Sequence, residues 1–357
     1  MSYNPLFMKR AFALAARGDG AVQPNPYVGA VAVKEGRIIG EGYHDSFGGP
    51  HAEVQALSID SHLAEGCELY VTLEPCNHYG KTPPCTELII QKKVKAVYAA
   101  MKDPNPLVSG QGLRRLKEAG VLVQAGFQEK KARKMNRVFI KNILDKEPYV
   151  ILKYAMTADG YIASCNGDSR WISCEESRKE VHLIRHNVKG IMVGAGTVIQ
   201  DKPRLTARVD PEGWQPRKVV YDPRGDLIGH SHPLSGEALI LTEGEKYLDR
   251  EGFRNYTLPK DPAAFRAAFY EVLWKEGVTS LLVEGGSFTI HRMFEADAVD
   301  EVVVFIAPKL LGGGLSPSGE KGFASIEQAR KLLETSWQKV GEDMMMKGFF
   351  RDVYRTH

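Results

Sequence analysis

Pro50-His51-Ala52-Glu53, followed by Glu74-Pro75-Cys76 and by Pro84-Cys85, decides how the rest of this chain is read. It supplies one imidazole, one free carboxylate and two thiols in an order that suits a catalytic zinc. A His and two Cys leave a tetrahedral zinc one open position for water, and bound there water becomes hydroxide near neutral pH. Glu53 is two residues from the imidazole and is not needed as a ligand, so it is free to carry protons.

The parts agree with one another. Pro50 suits a first helical position, which puts His51 and Glu53 in one first turn where both reach the same ion. Pro75 and Pro84 are read in the same way, with Cys76 and Cys85 at helix N-termini that favour thiolate. His/Cys/Cys on the metal, a Glu moving protons, and H-x-E before P-C is the zinc-deaminase division of labour. The usual pattern has two residues between its cysteines, whereas residues 77–84 intervene here. A closed structural zinc would need a fourth ligand and would leave Glu53 without a role.

The chain also resembles a known family. Asn25-Pro26-Tyr27-Val28-Gly29, His51-Ala52-Glu53, the run Val71-Thr72-Leu73-Glu74-Pro75-Cys76-Asn77-His78-Tyr79-Gly80-Lys81-Thr82-Pro83-Pro84-Cys85, and Asp103-Pro104-Asn105-Pro106 are similar to the bifunctional riboflavin-biosynthesis deaminase–reductases. The resemblance implies that the long gap between the cysteines is the family's own form. It further implies a diaminopyrimidine ribosyl phosphate substrate and a cytidine-deaminase-like three-layer domain. Asn25 and His44 are the amide and imidazole expected to read the pyrimidine. In the insert, His78, Lys81 and Thr82 are expected to contact substrate, with Lys81 and Thr82 as phosphate donors.

Composition is consistent with this. The 357 residues suggest two domains, and 43% hydrophobic with 25% charged residues is ordinary for a globular chain. Lys and Arg total 47 against 44 Asp and Glu, a net charge of +3. That mixture argues against an extended nucleic-acid surface and fits a small anionic ligand. Cys67, Cys76, Cys85, Cys165 and Cys174 are a sparse, odd set that suggests a reducing compartment. There is no charged-then-apolar leader and no apolar run long enough for a bilayer, so a cytoplasmic location is expected.

In chain order, residues 4–17 read as a helix capped by Asn4, with Leu6, Ala11, Leu14 and Ala15 near one face. Strands are expected at 28–33 and 37–41 across Glu35-Gly36, at 68–73, 94–100 and 121–125, and helices from Cys85 to 92 and at 113–119. This alternation means a mixed or parallel sheet covered by helices. Residues 129–146 read as one basic amphipathic helix with Met135, Val138, Phe139, Ile143 and Leu144. Glu147-Pro148 breaks it, and the domain boundary is placed there: 1–146, then 147–357.

The second half opens with a strand at 149–155, then Ser169-Arg170-Trp171 leading to a helix at 175–187. Further strands are expected at 189–193, 218–221, 238–241, 280–283 and 302–306, and a helix at 262–275. Leu281-Leu282-Val283-Glu284-Gly285-Gly286-Ser287 is a buried strand ending in two glycines before a helix. Such a turn lets backbone approach an anion at a helix N-terminus, and Gly194-Ala195-Gly196-Thr197 repeats the arrangement. The family resemblance extends over this half and implies a dihydrofolate-reductase-like domain. Carried over by position, Ala155, Trp171, Thr197, Asp201 and Gly286 contact NADPH, and Ser169, Arg185, Leu205, Arg208 and Glu284 contact substrate. Arg185 and Arg208 are natural phosphate clamps. The segment around 224–248 matches no motif, and Met344-Met345-Met346 reads as packing.

The expectation is a two-domain enzyme, a zinc deaminase followed by an NADPH-dependent reductase, acting on a small molecule as a homo-oligomer. A nucleic-acid deaminase with an accessory domain, and a zinc- and nucleotide-binding regulator without turnover, are the competing readings. Charge balance opposes the first, and the intact Glu53 opposes the second.

Overall fold

The computed structural model describes residues 3–79, 83–210, 212–228, 230, 234, 237–244, 252–318, 324–352 and 354. It divides into two compact units at Lys146/Glu147. The first unit also takes in Tyr354, whose carbonyl accepts from Arg133 Nη1 at 2.9 Å, so the expected second domain gives up this C-terminal residue.

Asn4 caps α1 (Pro5–Ala15), accepting the Leu6 N–H at 3.0 Å, with Pro5 at the first helical position. The buried face is Met8, Ala11, Phe12, Leu14 and Ala15; Leu6, expected on it, is 68% exposed in the first turn. A hairpin follows, β1 (Gly29–Lys34) and β2 (Arg37–Tyr43), closed by Glu35 and Gly36, both at positive φ as a two-residue turn requires. Then come α2 (Ala52–Ala56), α3 (Ser61–Ala64), β3 (Glu68–Val71), α4 (Cys85–Gln91), β4 (Ala96–Ala99), α5 (Gln111–Glu118), β5 (Leu122–Ala125), α6 (Glu129–Met135) and α7 (Arg137–Asp145).

The sheet order is β2-β1-β3-β4-β5, with β1 antiparallel to both neighbours and the β3-β4-β5 pairs parallel. Two glycines show how it is covered. A Cβ on Gly29 would lie 2.0 Å from the Ala11 carbonyl of α1, and one on Gly42 would lie 2.4 Å from the Ala52 carbonyl of α2. Gly42 pairs with Ala30, so Gly29 and Gly42 point to opposite faces. Helices therefore pack on both faces, giving three layers around Tyr70, Tyr98 and the valines of β1.

Three local expectations are corrected. Pro50 lies outside the helix: His51 is the N-cap and Ala52 the first residue of α2. Cys76 does not start a helix but lies in the irregular segment after β3, while Cys85 does start α4. The long helix of 129–146 is broken at Asn136. That buried side chain bonds the Tyr27 backbone, accepting its N–H at 2.7 Å and donating to its carbonyl at 3.1 Å.

The second unit comprises β6 (Tyr149–Thr157), α8 (Glu175–His186), β7 (Gly190–Gly194), α9 (Ala195–Asp201), β8 (Arg217–Tyr221), β9 (Ala238–Thr242), β10 (Phe253–Thr257), α10 (Pro262–Lys275), β11 (Ser280–Val283), α11 (Ser287–Glu295), β12 (Glu301–Ala307), β13 (Glu334–Val340) and β14 (Asp343–Phe349). Its sheet order is β10-β9-β8-β7-β11-β6-β12-β14-β13; only the last two strands run antiparallel to their neighbours. Asp261 caps α10 by accepting the Ala264 N–H at 2.9 Å, with Pro262 behind it. The chain moves outward from β7 to β10, and β11 then returns between β7 and β6. Ligands of parallel sheets bind beyond the carboxyl ends of strands at such a reversal. The Met run lies in β14, where Met345 is buried and Met344 is 40% exposed.

Candidate active site and metal centre

His51 leaves the chain from extended backbone just before α2 turns, and its ring meets both cysteines. Nδ1 lies 3.3 Å from Cys85 Sγ and 3.5 Å from Cys76 Sγ. Zinc–sulfur and zinc–nitrogen bonds of ~2.3 and ~2.0 Å at a tetrahedral angle put N and S about 3.6 Å apart. The spacing therefore fits zinc, and all three ligand atoms lie within 4.8 Å of one another. Cys76 Sγ accepts the N–H of Cys85 at 3.3 Å, the first residue of α4. One sulfur thus sits on the helix start and the other is bonded to it.

The electrostatics fit a cation in the same place. Hydrogen bonds from the Cys85 thiol, and then from His51, pull the Cys76 thiol down to about 4. Cys85 is pushed up, first by sharing its proton with Cys76 and then by burial. The His51 imidazole is raised, chiefly by its bond to Cys76. Two adjacent sulfurs cannot both ionise unaided, and a divalent ion between them removes that conflict.

Glu53, on the first turn of α2, is 4% exposed. Burial pushes its carboxyl up to about 7, and the Cys76 sulfur adds to the shift. A carboxyl poised there exchanges protons in either direction near neutral pH.

His51, Glu53 and Cys76 line a cavity of ≈ 300 Å³ together with Asn25, His44 and His78. His44 is buried, at 3% exposure. Its Nδ1 bonds the Pro50 carbonyl at 3.0 Å, so that nitrogen carries the proton and Nε2 accepts from Asn25 Nδ2 at 2.9 Å. Burial pushes the His44 pKa down, which keeps the ring neutral. His78 lines the cavity from an exposed position; Lys81 and Thr82 lie outside the described residues.

Sequence reasoning assigned no role to other residues that line the cavity, among them Asp103, Asn105, Phe139 and Ile143. The first two belong to the Asp-Pro-Asn-Pro turn already singled out. Phe139 and Ile143 are four apart on α7 and form an apolar wall, a signal that helical spacing carries.

In the second unit the expected contacts gather at the carboxyl ends of adjacent strands. Ala155 is on the last turn of pleat in β6, Thr197 and Asp201 are on α9 directly after β7, and Glu284 and Gly286 follow β11. Gly286 is the N-cap of α11 without a side-chain bond, in extended backbone at φ −75°, and a Cβ there meets nothing within 4 Å. Gly285 differs: its Cβ would lie 2.5 Å from Thr289, so that glycine serves packing. Asp201 accepts Arg170 Nη2 at 2.7 Å, and Lys309 Nζ donates to the carbonyl of Trp171, whose side chain is largely exposed, at 2.6 Å. These bonds tie down the Ser169-Arg170-Trp171 loop from two sides.

Arg185 is not a free phosphate clamp. It grips both oxygens of Glu284, at 2.6 and 3.1 Å, and donates to the Thr206 carbonyl at 3.2 Å. Lys153 Nζ stands 3.7 Å from the same carboxylate. Despite its burial, Glu284 is held down to about 2 by these two cations, Arg185 first. Leu205 is buried at positive φ, and Arg208 is exposed. Among the described residues no helix is long and apolar enough to cross a membrane.

Known proteins carry the same two parts in the same order. Residues 1–101 match the cytidine and deoxycytidylate deaminase zinc-binding region, and residues 148–346 match the RibD C-terminal domain. The riboflavin biosynthesis protein RibD of Aquifex aeolicus (strain VF5) is 41% identical over 97% of both chains. That of Escherichia coli (strain K12) is 36% identical over 94% of this chain and 95% of its own. A solved Thermotoga maritima diaminohydroxyphosphoribosylaminopyrimidine deaminase/5-amino-6-(5-phosphoribosylamino)uracil reductase superposes with a TM-score of 0.86 at 38% identity, covering 96% of this chain and 97% of that one. A cytidine-deaminase-like domain followed by a dihydrofolate-reductase-like RibD domain is the fold expected from sequence, with zinc and NADPH as cofactors. The chain belongs to the RibD family, the bifunctional deaminase–reductases of riboflavin biosynthesis.

Proposed function

We propose that residues 1–146 deaminate 2,5-diamino-6-(5-phosphoribosylamino)pyrimidin-4-one and that residues 147–357 reduce its ribosyl side chain, giving 5-amino-6-(5-phosphoribitylamino)uracil. The carrying observation is that His51, Cys76 and buried Glu53 line one cavity with the Asn25–His44 pair, and that Cys85 Sγ stands 3.3 Å from His51 Nδ1. Held by His51, Cys76 and Cys85, zinc supplies the Lewis acidity that activates water at neutral pH. Glu53 takes the water's proton and returns it to the departing amine, which leaves as ammonia. Asn25 has one amide hydrogen spent on His44; its other hydrogen and its oxygen face the pyrimidine edge. Phe139 and Ile143 exclude bulk water from one side of the ring.

In the second unit NADPH, when bound, supplies the hydride. The unsatisfied N–H groups at the start of α11 suit its diphosphate, with Gly286 giving access and Thr197 and Asp201 alongside on α9. Arg208 is the exposed cation for the substrate phosphate. Arg185 holds Glu284 ionised and oriented toward the ribosyl group. Ala155, Trp171, Ser169 and Leu205 complete the walls in the roles expected of them. Lys81 and Thr82 remain the proposed phosphate donors of the deaminase half.

The same reading puts the enzyme in the cytoplasm, supported by five cysteines of which none is paired in a disulfide. A homo-oligomer is supported by β13 at the edge of its sheet, where Trp337 is 59% exposed and Leu333, just before the strand, 63%; light scattering tests it. For the activity, purified chain is given the diamino substrate. Ammonia release without NADPH, and NADPH oxidation when it is added, are expected. Neither product appearing would overturn the reading.

A further inference from the structure

Glu74 stands two residues before Cys76, is 6% exposed and lies in the cavity lining, yet it is not among the metal ligands. Its own N–H donates to the Met101 carbonyl at 3.0 Å, which ties it to the segment just after β4. Its carboxylate is spent on backbone. Oε2 accepts the N–H groups of Asp103 at 3.1 Å and Gly110 at 2.9 Å. Oε1 accepts those of Gly112 at 2.9 Å and Leu113 at 3.3 Å. One side chain thus spans both ends of the loop between β4 and α5.

That loop supplies a wall of the cavity through Asp103, Asn105 and Val108. Inside it, Asp103 Oδ1 accepts the Asn105 N–H at 2.8 Å, and Asn105 Oδ1 accepts the Leu107 N–H at 3.1 Å. The anchoring is close-packed as well: a Cβ on Gly112 would lie 2.1 Å from the Pro75 carbonyl. The start of α5 is therefore pressed onto the backbone that leads to Cys76.

We infer that Glu74 is a positioning residue that sets the Asp103–Asn105 wall at a fixed distance from the metal ligands and so fixes which pyrimidine fits. The inference rests on the deaminase reading above. The chemistry requires a carboxylate. Both oxygens only accept, and each meets two N–H donors; an amide of the same shape would turn a donor toward one of those pairs. Loosening the wall changes how substrate is held but not how the reacting carbon is attacked, so it acts on KM before kcat.

The test is Glu74→Gln in the full chain, with zinc content, amide exchange, and the KM and kcat of ammonia release compared with wild type. Zinc should stay at the wild-type level and exchange at Gly110 or Gly112 should quicken roughly tenfold or more. KM should rise roughly tenfold, with kcat within about threefold, the scale of one or two lost charge-assisted hydrogen bonds. Faster exchange with an unchanged KM would reduce Glu74 to a structural tie, and zinc loss with falling kcat would mean it acts through the metal; either overturns the inference. If wild type itself releases no ammonia, the functional reading fails, and unchanged exchange in Glu74→Gln would separately dismiss the strap. Should the variant not fold, exchange at Gly110 in the wild-type chain decides: slowing on addition of the deaminated product supports the inference, and indifference to it overturns it.

Discussion

Asn25 Nδ2 donates to His44 Nε2 at 2.9 Å, across a cavity wall built from two loops nineteen residues apart. The Pro50 carbonyl, one residue before the metal-binding imidazole, fixes the His44 tautomer that makes this possible. The amide proposed to read the base is therefore oriented by the segment that carries His51. Asn25→Ala should raise the KM for deamination and lower kcat/KM at least ~10-fold, the scale of a buried hydrogen bond worth ~1–3 kcal/mol. Zinc content should not change. Unaltered kinetics would remove Asn25 from the site.

The sulfur pair gives a metal prediction. Cys76→Ser or Cys85→Ser should lose the one zinc per chain expected of a three-ligand site. Full occupancy in either variant, measured by metal analysis, would reassign the ligands.

Much of this was legible beforehand because its signal is local. The His-x-Glu and Pro-Cys order, the Asp261-Pro262 helix start and the double glycine after β11 each depend on neighbours in sequence. What was illegible depends on distant partners. Residues 129–146 have continuous amphipathic spacing, and the break at Asn136 comes from Tyr27, 109 residues earlier. β13 was missed because most of it is exposed on both faces, which erases the alternation that marks a half-buried strand. Pro75 resembles a helix start and so suggests a helix at Cys76, which instead reaches the metal position from a loop bonded to α4. Arg185 reads as a phosphate clamp from sequence, and its ion pair with Glu284, 99 residues away, carries no local signal.

That ion pair predicts an acid-sensitive second unit. The Glu284 carboxyl, held at about 2 by Arg185 and Lys153, lies below its ordinary 4.5. Its contribution is therefore complete above pH ~4.5 and is lost as pH falls toward ~2, amounting to about 3 kcal/mol. Glu284→Gln should be less stable at neutral pH, with two cations left unpaired, and should show a shallower loss of stability over that window. Thermal melts from pH 6 to pH 3 test this; parallel curves would mean the pair contributes nothing to acid stability.

A substitution at Gly286 should separate the two activities. Its extended φ of −75° and the open space beyond its Cα mean that Gly286→Asp should fold. A carboxylate before the α11 N-terminus repels a diphosphate, so NADPH affinity should fall sharply while zinc content and ammonia release survive. Titration of the folded variant with NADPH is the check. Unchanged affinity would make this turn a tight corner only.

The account's central claim is that Glu53-dependent deamination precedes reduction on one chain, and Glu53→Gln tests it most directly. Ammonia and NADPH are followed together on the diamino substrate. Wild type should consume one NADPH per ammonia. Glu53→Gln should keep its zinc, release ammonia slower by ~10²-fold to 10⁴-fold or more, and oxidise NADPH no faster, yet reduce the already deaminated substrate at the wild-type rate. Rapid NADPH oxidation by this variant on the diamino substrate, or near-normal ammonia release, would contradict the claim.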